Sequence, residues 1–178
     1  MPGASVVEEV SRSSDDRGSY AFDREDLDVS DATFVRADLT AFSRLDELGL
    51  VVVGQRLELD RAVLACRVVD RDDWCRRCGC PGVARDTVLR RLAHEPFGWR
   101  PTTLLVTVRR YQCTGCGRVW RQDMSKAAEP RAKISRRGLR WALEALVVQH
   151  VTVARVAEGL DVAWDTANDA SWPRASGS

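Results

Sequence analysis

Apolar and polar residues alternate in the first third of the chain in a way that predicts a β-hairpin. Two β-rich runs, at about 50–59 and 62–69, flank a turn near Asp60. Leu57 and Leu59 alternate with charged residues, which is typical of a strand with one buried face. A short amphipathic helix at 38–48 precedes this hairpin.

A second hairpin is predicted further along. Its strands lie at about 86–92 and 103–112, and on the second strand apolar residues again occupy alternate positions. The segment between them, His94–Pro101, contains two prolines and a glycine, which favours a long turn. We therefore expect His94 to lie at the surface, at the tip of the hairpin.

Beyond residue 134 the apolar spacing becomes helical. Ser135 is a predicted N-cap for a helix, and Thr152 is a predicted N-cap for a second helix that ends near Leu160. A third helix is expected to begin at Trp164. Three such segments favour a helix-turn-helix, in which the third helix would read DNA bases. Its predicted DNA contacts are Trp164, Thr166 and Asn168. The alternative is a plain three-helix cap.

Two copies of one cysteine motif supply the candidate chemistry. They are Cys75-Arg-Arg-Cys78-Gly and Cys113-Thr-Gly-Cys116-Gly, each beside a predicted strand. Thiolate pairs two residues apart suit tetrahedral zinc, and four thiolates leave no open position for a catalytic water. We therefore predict one structural Zn²⁺ ion and no catalytic residue.

Other interpretations of the cysteines stay open. A redox CxxC pair would need a thioredoxin-like βαβ pattern, which the sequence does not show, and the cysteines could also be unligated core residues. Cys80 could replace Cys78 as a ligand, although Cys78 makes the two motifs match. Cys66 lies in an apolar run and is predicted to be a core residue.

The patterns together predict an α+β protein, with a small β-hairpin and zinc-ribbon domain followed by a three-helix segment resembling a helix-turn-helix. The expected boundaries are a flexible acidic leader at 1–37, the zinc-ribbon domain at 38–125, a basic linker with the helices at 126–171, and a disordered tail at 172–178.

Charge is distributed unevenly, although the net charge is only +1. Residues 1–60 carry 6 Lys/Arg and 14 Asp/Glu, residues 61–140 carry 19 and 7, and residues 141–178 carry 2 and 5. A central segment at +12 favours a polyanionic partner, which we predict to be double-stranded DNA; the alternative is a solvated basic surface. Its predicted contacts are Arg76, Arg77, Arg109, Arg110, Arg118, Arg121, Lys133, Arg136 and Arg137.

Two further expectations follow from composition. No apolar run approaches the ~20 residues of a membrane helix, and the acidic N-terminus is not a secretory signal, so we expect a cytoplasmic, nucleoid-associated protein without a membrane partner. Trp99, Tyr111 and Trp120 lie among the basic residues, where packing is favoured over stacking on nucleic acid.

The order of these motifs resembles the N-terminal region of the ISL-three family of bacterial insertion-sequence transposases. The resemblance covers roughly residues 38–170. It rests on the paired CxxCG motifs, the turn sequence RRLAHEPFGWRP, and the run Thr-Val-Ala-Arg-Val-Ala at residues 152–157. It implies zinc-stabilised recognition of the terminal inverted repeats of a mobile element.

The family also has a large acidic-triad catalytic domain, which is missing from this chain. We therefore expect a truncated transposase that binds DNA without catalysis, alone, as a homodimer or with the full-length transposase. The alternatives are a zinc-ribbon adaptor that binds another protein, and a non-functional remnant.

Overall fold

Five β-strands form a single sheet in the computed structural model, which describes residues 38–171. The predicted leader at 1–37 and the predicted tail at 172–178 lie outside the described residues. The strands are β1 (Leu50–Leu57), β2 (Ala62–Val68), β3 (Gly82–Phe97), β4 (Arg100–Cys113) and β5 (Val119–Arg121).

The sheet joins two hairpins through a parallel pair. Strands β1 and β2 are antiparallel, which confirms the first predicted hairpin. Strands β3 and β4 are also antiparallel, and β2 pairs with β4 in parallel from Ala62 opposite Thr102 to Arg67 opposite Thr107. The strand order is therefore β1-β2-β4-β3, with the short β5 also paired to β4.

The second hairpin is longer than the sequence predicts. Phe97 pairs with Arg100, so most of the expected long turn is strand, and only Gly98 and Trp99 form the turn. Gly98 has a φ of +66°, which glycine adopts without steric cost. Pro96 is tolerated because β3 lies at the sheet edge and its register with β4 shifts between His94 and Phe97.

The main core covers one face of this sheet. Leu64 and Cys66 on β2 lie beside Leu104 and Val106 on β4, and all four are buried. Cys66 is fully buried, as predicted, and burial raises the pKa of its thiol to about 12. The cluster is completed by Leu45, Leu48, Leu50, Val68, Leu92, Val108, Ala127 and Ala128.

Four helices complete the described part of the chain. They are α1 (Leu39–Phe42), α2 (Arg136–Val147), α3 (Val153–Leu160) and α4 (Trp164–Ser171). The predicted helix at 38–48 is therefore reduced to one turn. Both predicted caps are confirmed, because Ser135 Oγ accepts from the N–H of Gly138 at 3.0 Å and Thr152 Oγ1 accepts from the N–H of Arg155 at 3.4 Å.

The predicted fold class, a small zinc-ribbon hairpin followed by a helix-turn-helix, is wrong. A five-stranded sheet dominates the described part of the chain, and residues 38–171 belong to one compact unit. Helices α2 and α3 pack against the sheet rather than forming a separate segment. The prediction failed because local periodicity identifies single elements, whereas the β2–β4 pairing depends on residues about 40 positions apart.

Ala93 joins the helices to the sheet. Its N–H donates to the carbonyl of Lys133 and its carbonyl accepts from the N–H of Ser135, both at 2.9 Å. Around it lies a second apolar cluster, so the helices share a core with β3. Its buried members are Ala93, Ile134, Ala142, Ala145, Val156 and Leu160.

His94 is buried at this junction, so its predicted surface position is wrong. Its side chain is 2% exposed, and Nδ1 lies 2.8 Å from Ser135 Oγ. Burial lowers the pKa of His94 to about 4, an effect that outweighs the neighbouring carboxylate of Glu95. The ring is therefore neutral at pH 7 and joins β3 to the start of α2.

Candidate metal centre and basic surface

The first cysteine pair lies in a tight turn between β2 and β3. The N–H of Gly79 donates to the carbonyl of Cys75 at 2.9 Å, and the N–H of Cys75 donates to the carbonyl of Cys80 at 3.0 Å. Gly79 has a φ of +73°, and open space surrounds the position of a Cβ there. This turn, residues 75–80, is called knuckle 1.

The second pair forms a matching turn, residues 113–118, which is called knuckle 2. The N–H of Gly117 donates to the carbonyl of Cys113 at 3.2 Å, and Gly117 has a φ of +70°. The N–H of Cys113 donates to the carbonyl of Arg118 at 2.8 Å, which leads the chain into β5. Both glycines therefore adopt the left-handed backbone that the repeated CxxCG motif predicts.

The β3–β4 register brings the two knuckles together. Gly82 lies opposite Cys113, so the start of β3 and the end of β4 meet at one end of the hairpin. The N–H of Thr114 donates to the carbonyl of Pro81 at 3.1 Å and links the knuckles directly. The sheet therefore positions all four predicted ligands.

The four sulfur atoms form a cluster that could hold a metal ion. The Sγ atoms of Cys75, Cys78, Cys113 and Cys116 all lie within 4.8 Å of one another. Cys75 Sγ lies 3.7 Å from Cys116 Sγ, and Cys78 Sγ lies 3.3 Å from Cys113 Sγ. A tetrahedral site with metal–sulfur bonds of about 2.3 Å has sulfur–sulfur edges of about 3.8 Å. The cysteines therefore fit a tetrahedral ion.

Backbone amides favour ionisation of one of these thiols. The N–H groups of Cys116 and Gly115 both lie 3.4 Å from Cys113 Sγ. The N–H of Cys116 is the largest of the influences that lower the pKa of Cys113 to about 6. At Cys78 the N–H of Cys80 acts in the same direction, but the nearby sulfurs of Cys113 and Cys116 outweigh it and raise the pKa to about 12. The thiols of Cys78 and Cys116 also lower the pKa of Cys113, whereas a sulfur that is already ionised opposes ionisation of the sulfurs beside it. A bound cation removes that opposition.

Cys80 is not a member of the four-sulfur cluster. Its Sγ lies 3.9 Å from the carbonyl oxygen of Cys78. A Cβ placed on Gly115 would lie only 2.6 Å from Cys80 Sγ. Cys80 therefore packs against knuckle 2, and Gly115 leaves the space that it needs. The sequence gives no signal of this contact.

Two aromatic residues support the metal end of the sheet by packing. Tyr111 and Trp120 are stacked with their ring centroids 5.7 Å apart, and the Trp120 Nε1–H donates to the carbonyl of Asp72 at 2.7 Å. A Cβ on Gly82 would lie 2.3 Å from the Trp120 ring. Trp99 differs, because it is 79% exposed with the Arg100 guanidinium 4.7 Å from its ring centroid.

The nine predicted DNA contacts outside α4 fall into three groups. Three are neutralised by acidic side chains: Arg110 pairs with Asp86, Arg136 pairs with Glu129, and Arg137 pairs with Glu95 and Glu47. Arg76 lies 3.7 Å from Asp72 and 3.8 Å from Asp123, which are long distances for ion pairs. The remaining five have no carboxylate partner within the described residues: Arg77, Arg109, Arg118, Arg121 and Lys133. Arg109 is half-buried, and the other four are exposed.

The three predicted contacts on α4 lie away from the knuckles in sequence. Trp164 is 52% exposed, whereas Thr166 and Asn168 are half-buried. Because the helix-turn-helix prediction is wrong, these three residues are not assigned to the basic surface.

A groove of about 710 Å³ adjoins the metal end of the sheet. It contains Arg90 and Arg131, which are not among the predicted DNA contacts. The sequence places Arg90 within an ordinary β-strand pattern and gives no signal that residues from the segment 122–131 line the same groove. Its arginines are Arg76, Arg90, Arg118, Arg121 and Arg131.

No protein-family model, curated protein or solved structure matches the chain. The resemblance to ISL-three transposases therefore stays a prediction. Among residues 38–171, no helix combines the length and apolar character needed to cross a membrane.

Proposed function

We propose that the chain is a zinc-stabilised module that binds double-stranded DNA. The observation that carries the proposal is the exposure of Arg77 and Arg118, one on each knuckle, without a carboxylate partner in residues 38–171. Arginine suits phosphate recognition because its planar fork can bond two oxygens. The metal ion would fix the backbone that carries these side chains.

Zinc is the proposed metal because the donor set consists of four thiols from paired turns. With four thiolates the coordination shell is closed, so the ion is proposed to be structural. No residue of the chain is proposed to be catalytic.

The resemblance to ISL-three transposases supports a target among the terminal inverted repeats of an insertion sequence. The chain would then recognise these repeats, acting together with a second copy of itself or with the full-length transposase. The resemblance rests on the knuckles, the hairpin turn and the run at residues 152–157, and it does not require a helix-turn-helix fold.

The test is a salt titration of binding to linear duplex DNA, with zinc-loaded protein. A module that contacts four phosphates should lose affinity by about a hundredfold between 50 and 200 mM salt. Chelation should abolish binding, and added zinc should restore it. Absent or salt-indifferent binding by folded, zinc-loaded protein would refute the DNA proposal and favour the adaptor alternative.

A further inference from the structure

The groove beside the knuckles, which we call the arginine groove, carries more positive than negative charge. Five arginines and two aspartates line it, so three positive charges are unmatched. The two aspartates, Asp72 and Asp123, both face Arg76. The other arginines of the groove, Arg90, Arg118, Arg121 and Arg131, have no carboxylate partner among residues 38–171.

Arg90 is held firmly although no acid neutralises it. Its Nη2 donates to the carbonyls of Glu129 at 2.9 Å and Ala132 at 2.8 Å, and its Nη1 lies 3.3 Å from Met124 Sδ. The residue is half-buried. A guanidinium partly withdrawn from water carries a free-energy cost that an anion would offset. Arg90 is therefore oriented in advance of any ligand.

Arg121 adds a second positive charge close to Arg90. It lies opposite Arg110 in the β4–β5 pair, but Asp86 neutralises Arg110 and leaves Arg121 without a partner in the described chain. Burial, and then the charge of Arg121, lower the pKa of Arg90. Two guanidinium groups that repel each other form a favourable site for a polyvalent anion.

Knuckle 2 places a third arginine on the same groove. The carbonyl of Arg118 accepts the N–H of Cys113 at 2.8 Å, so its backbone is fixed by the metal-binding turn. Its side chain is exposed and lines the groove. The turn that carries the metal ligands therefore also positions Arg118 in the groove.

We infer that the arginine groove binds phosphate groups of a nucleic-acid backbone, with Arg90, Arg118 and Arg121 as their ligands. This inference rests on the proposed function and deepens it, because it names the place where DNA phosphates lie. Fixed guanidinium groups bind phosphate oxygens through charge-assisted, often bidentate hydrogen bonds. The groove does not select a base sequence, because phosphate contacts set position alone.

The first experiment uses inorganic pyrophosphate as the probe and the full zinc-loaded chain. Arg118→Gln and Arg121→Gln should each weaken pyrophosphate binding at least fivefold in calorimetric titration. The matched control is Arg140→Gln, which should change the affinity by less than twofold. Arg140 is exposed, lies outside the groove and has no carboxylate partner among residues 38–171. Absence of pyrophosphate binding, or equal losses in groove and control variants, would overturn the inference.

The second experiment measures the salt dependence of duplex binding for the same variants. Each groove variant should reduce the slope of log K against log salt by about 0.9, the value for one lost phosphate contact. If pyrophosphate binds through these arginines and duplex DNA does not bind, the proposed function fails, and the assignment of the groove to a nucleic-acid backbone fails with it. If duplex DNA binds with unchanged slopes in both variants, the proposed function stands and the groove inference fails.

Discussion

The Sγ atoms of Cys75 and Cys116 lie 3.7 Å apart, although 41 positions separate the two residues in the chain. Both short sulfur–sulfur contacts therefore join one knuckle to the other, since the second lies between Cys78 and Cys113. The β3–β4 hairpin lies between the knuckles and sets this distance. Metal binding and hairpin formation are consequently expected to be one cooperative event.

Replacing Cys113 by Ser should abolish metal binding and destabilise the hairpin. Structural zinc sites contribute about 10–16 kcal/mol of apparent binding free energy, most of which becomes folding free energy. The variant should bind less than one tenth of an equivalent of zinc, with a lowered Tm. Cys80→Ser is the matched control and should keep one zinc ion per chain. Retention of zinc by Cys113→Ser, or its loss from Cys80→Ser, would show that the ligand set is wrong.

Gly115→Ala should destabilise the protein because its Cβ would lie 2.6 Å from Cys80 Sγ. We expect a loss of about 1–3 kcal/mol in the free energy of unfolding, as for other overpacked sites. Cys80→Ala should recover part of this loss, since it removes the sulfur but leaves its Cβ 3.2 Å away. Denaturant unfolding of the two single variants and the double variant measures the coupling. Strictly additive losses would contradict the contact.

Gly82→Ala tests the support that Trp120 gives to knuckle 2. The added Cβ would lie 2.3 Å from the indole ring, so the ring must move away from Tyr111. A loss of about 1–3 kcal/mol is expected in chemical denaturation. Gly54→Ala is the matched control on β1, where the Cβ would make an ordinary 3.6 Å contact. Equal effects at the two sites would argue against close packing at Gly82.

Stability should fall in mild acid because His94 is buried and neutral. Its folded pKa of about 4 lies below the ordinary histidine value of 6.5, so the unfolded chain binds more protons between these values. The contribution of His94 to the free energy of unfolding is present above pH 6.5 and is lost as the pH falls towards 4. Between pH 7 and pH 5 the loss should be about 2 kcal/mol.

The measurement compares the wild-type protein with His94→Gln at each pH, because zinc release in acid affects both equally. The variant should show a smaller fall in unfolding free energy over this range. Parallel curves would mean that His94 does not titrate differently in the folded state.

The sequence predicts local features of this molecule well. Alternation identifies the β1–β2 hairpin, and short polar side chains identify the caps Ser135 and Thr152. The four cysteines were predicted as one site because metal chemistry requires ligands that converge, whatever the intervening fold. These signals depend on residue type and on spacing within a few positions.

The rest depends on contacts between distant segments. The parallel β2–β4 pairing has no local signature, so the predicted fold class was wrong. His94 follows a strand and precedes a proline, which favours exposure, yet Ser135 lies 41 positions away and covers it. Arg90 and Arg121 likewise line one groove with residues from the segment 122–131, which no local pattern indicates.

The most direct test of the central claim is metal analysis with X-ray absorption spectroscopy on protein purified under reducing conditions. We expect one zinc ion per chain with four sulfur ligands at about 2.3 Å. Folded protein that contains no metal, with its four thiols reduced and unligated, would contradict it.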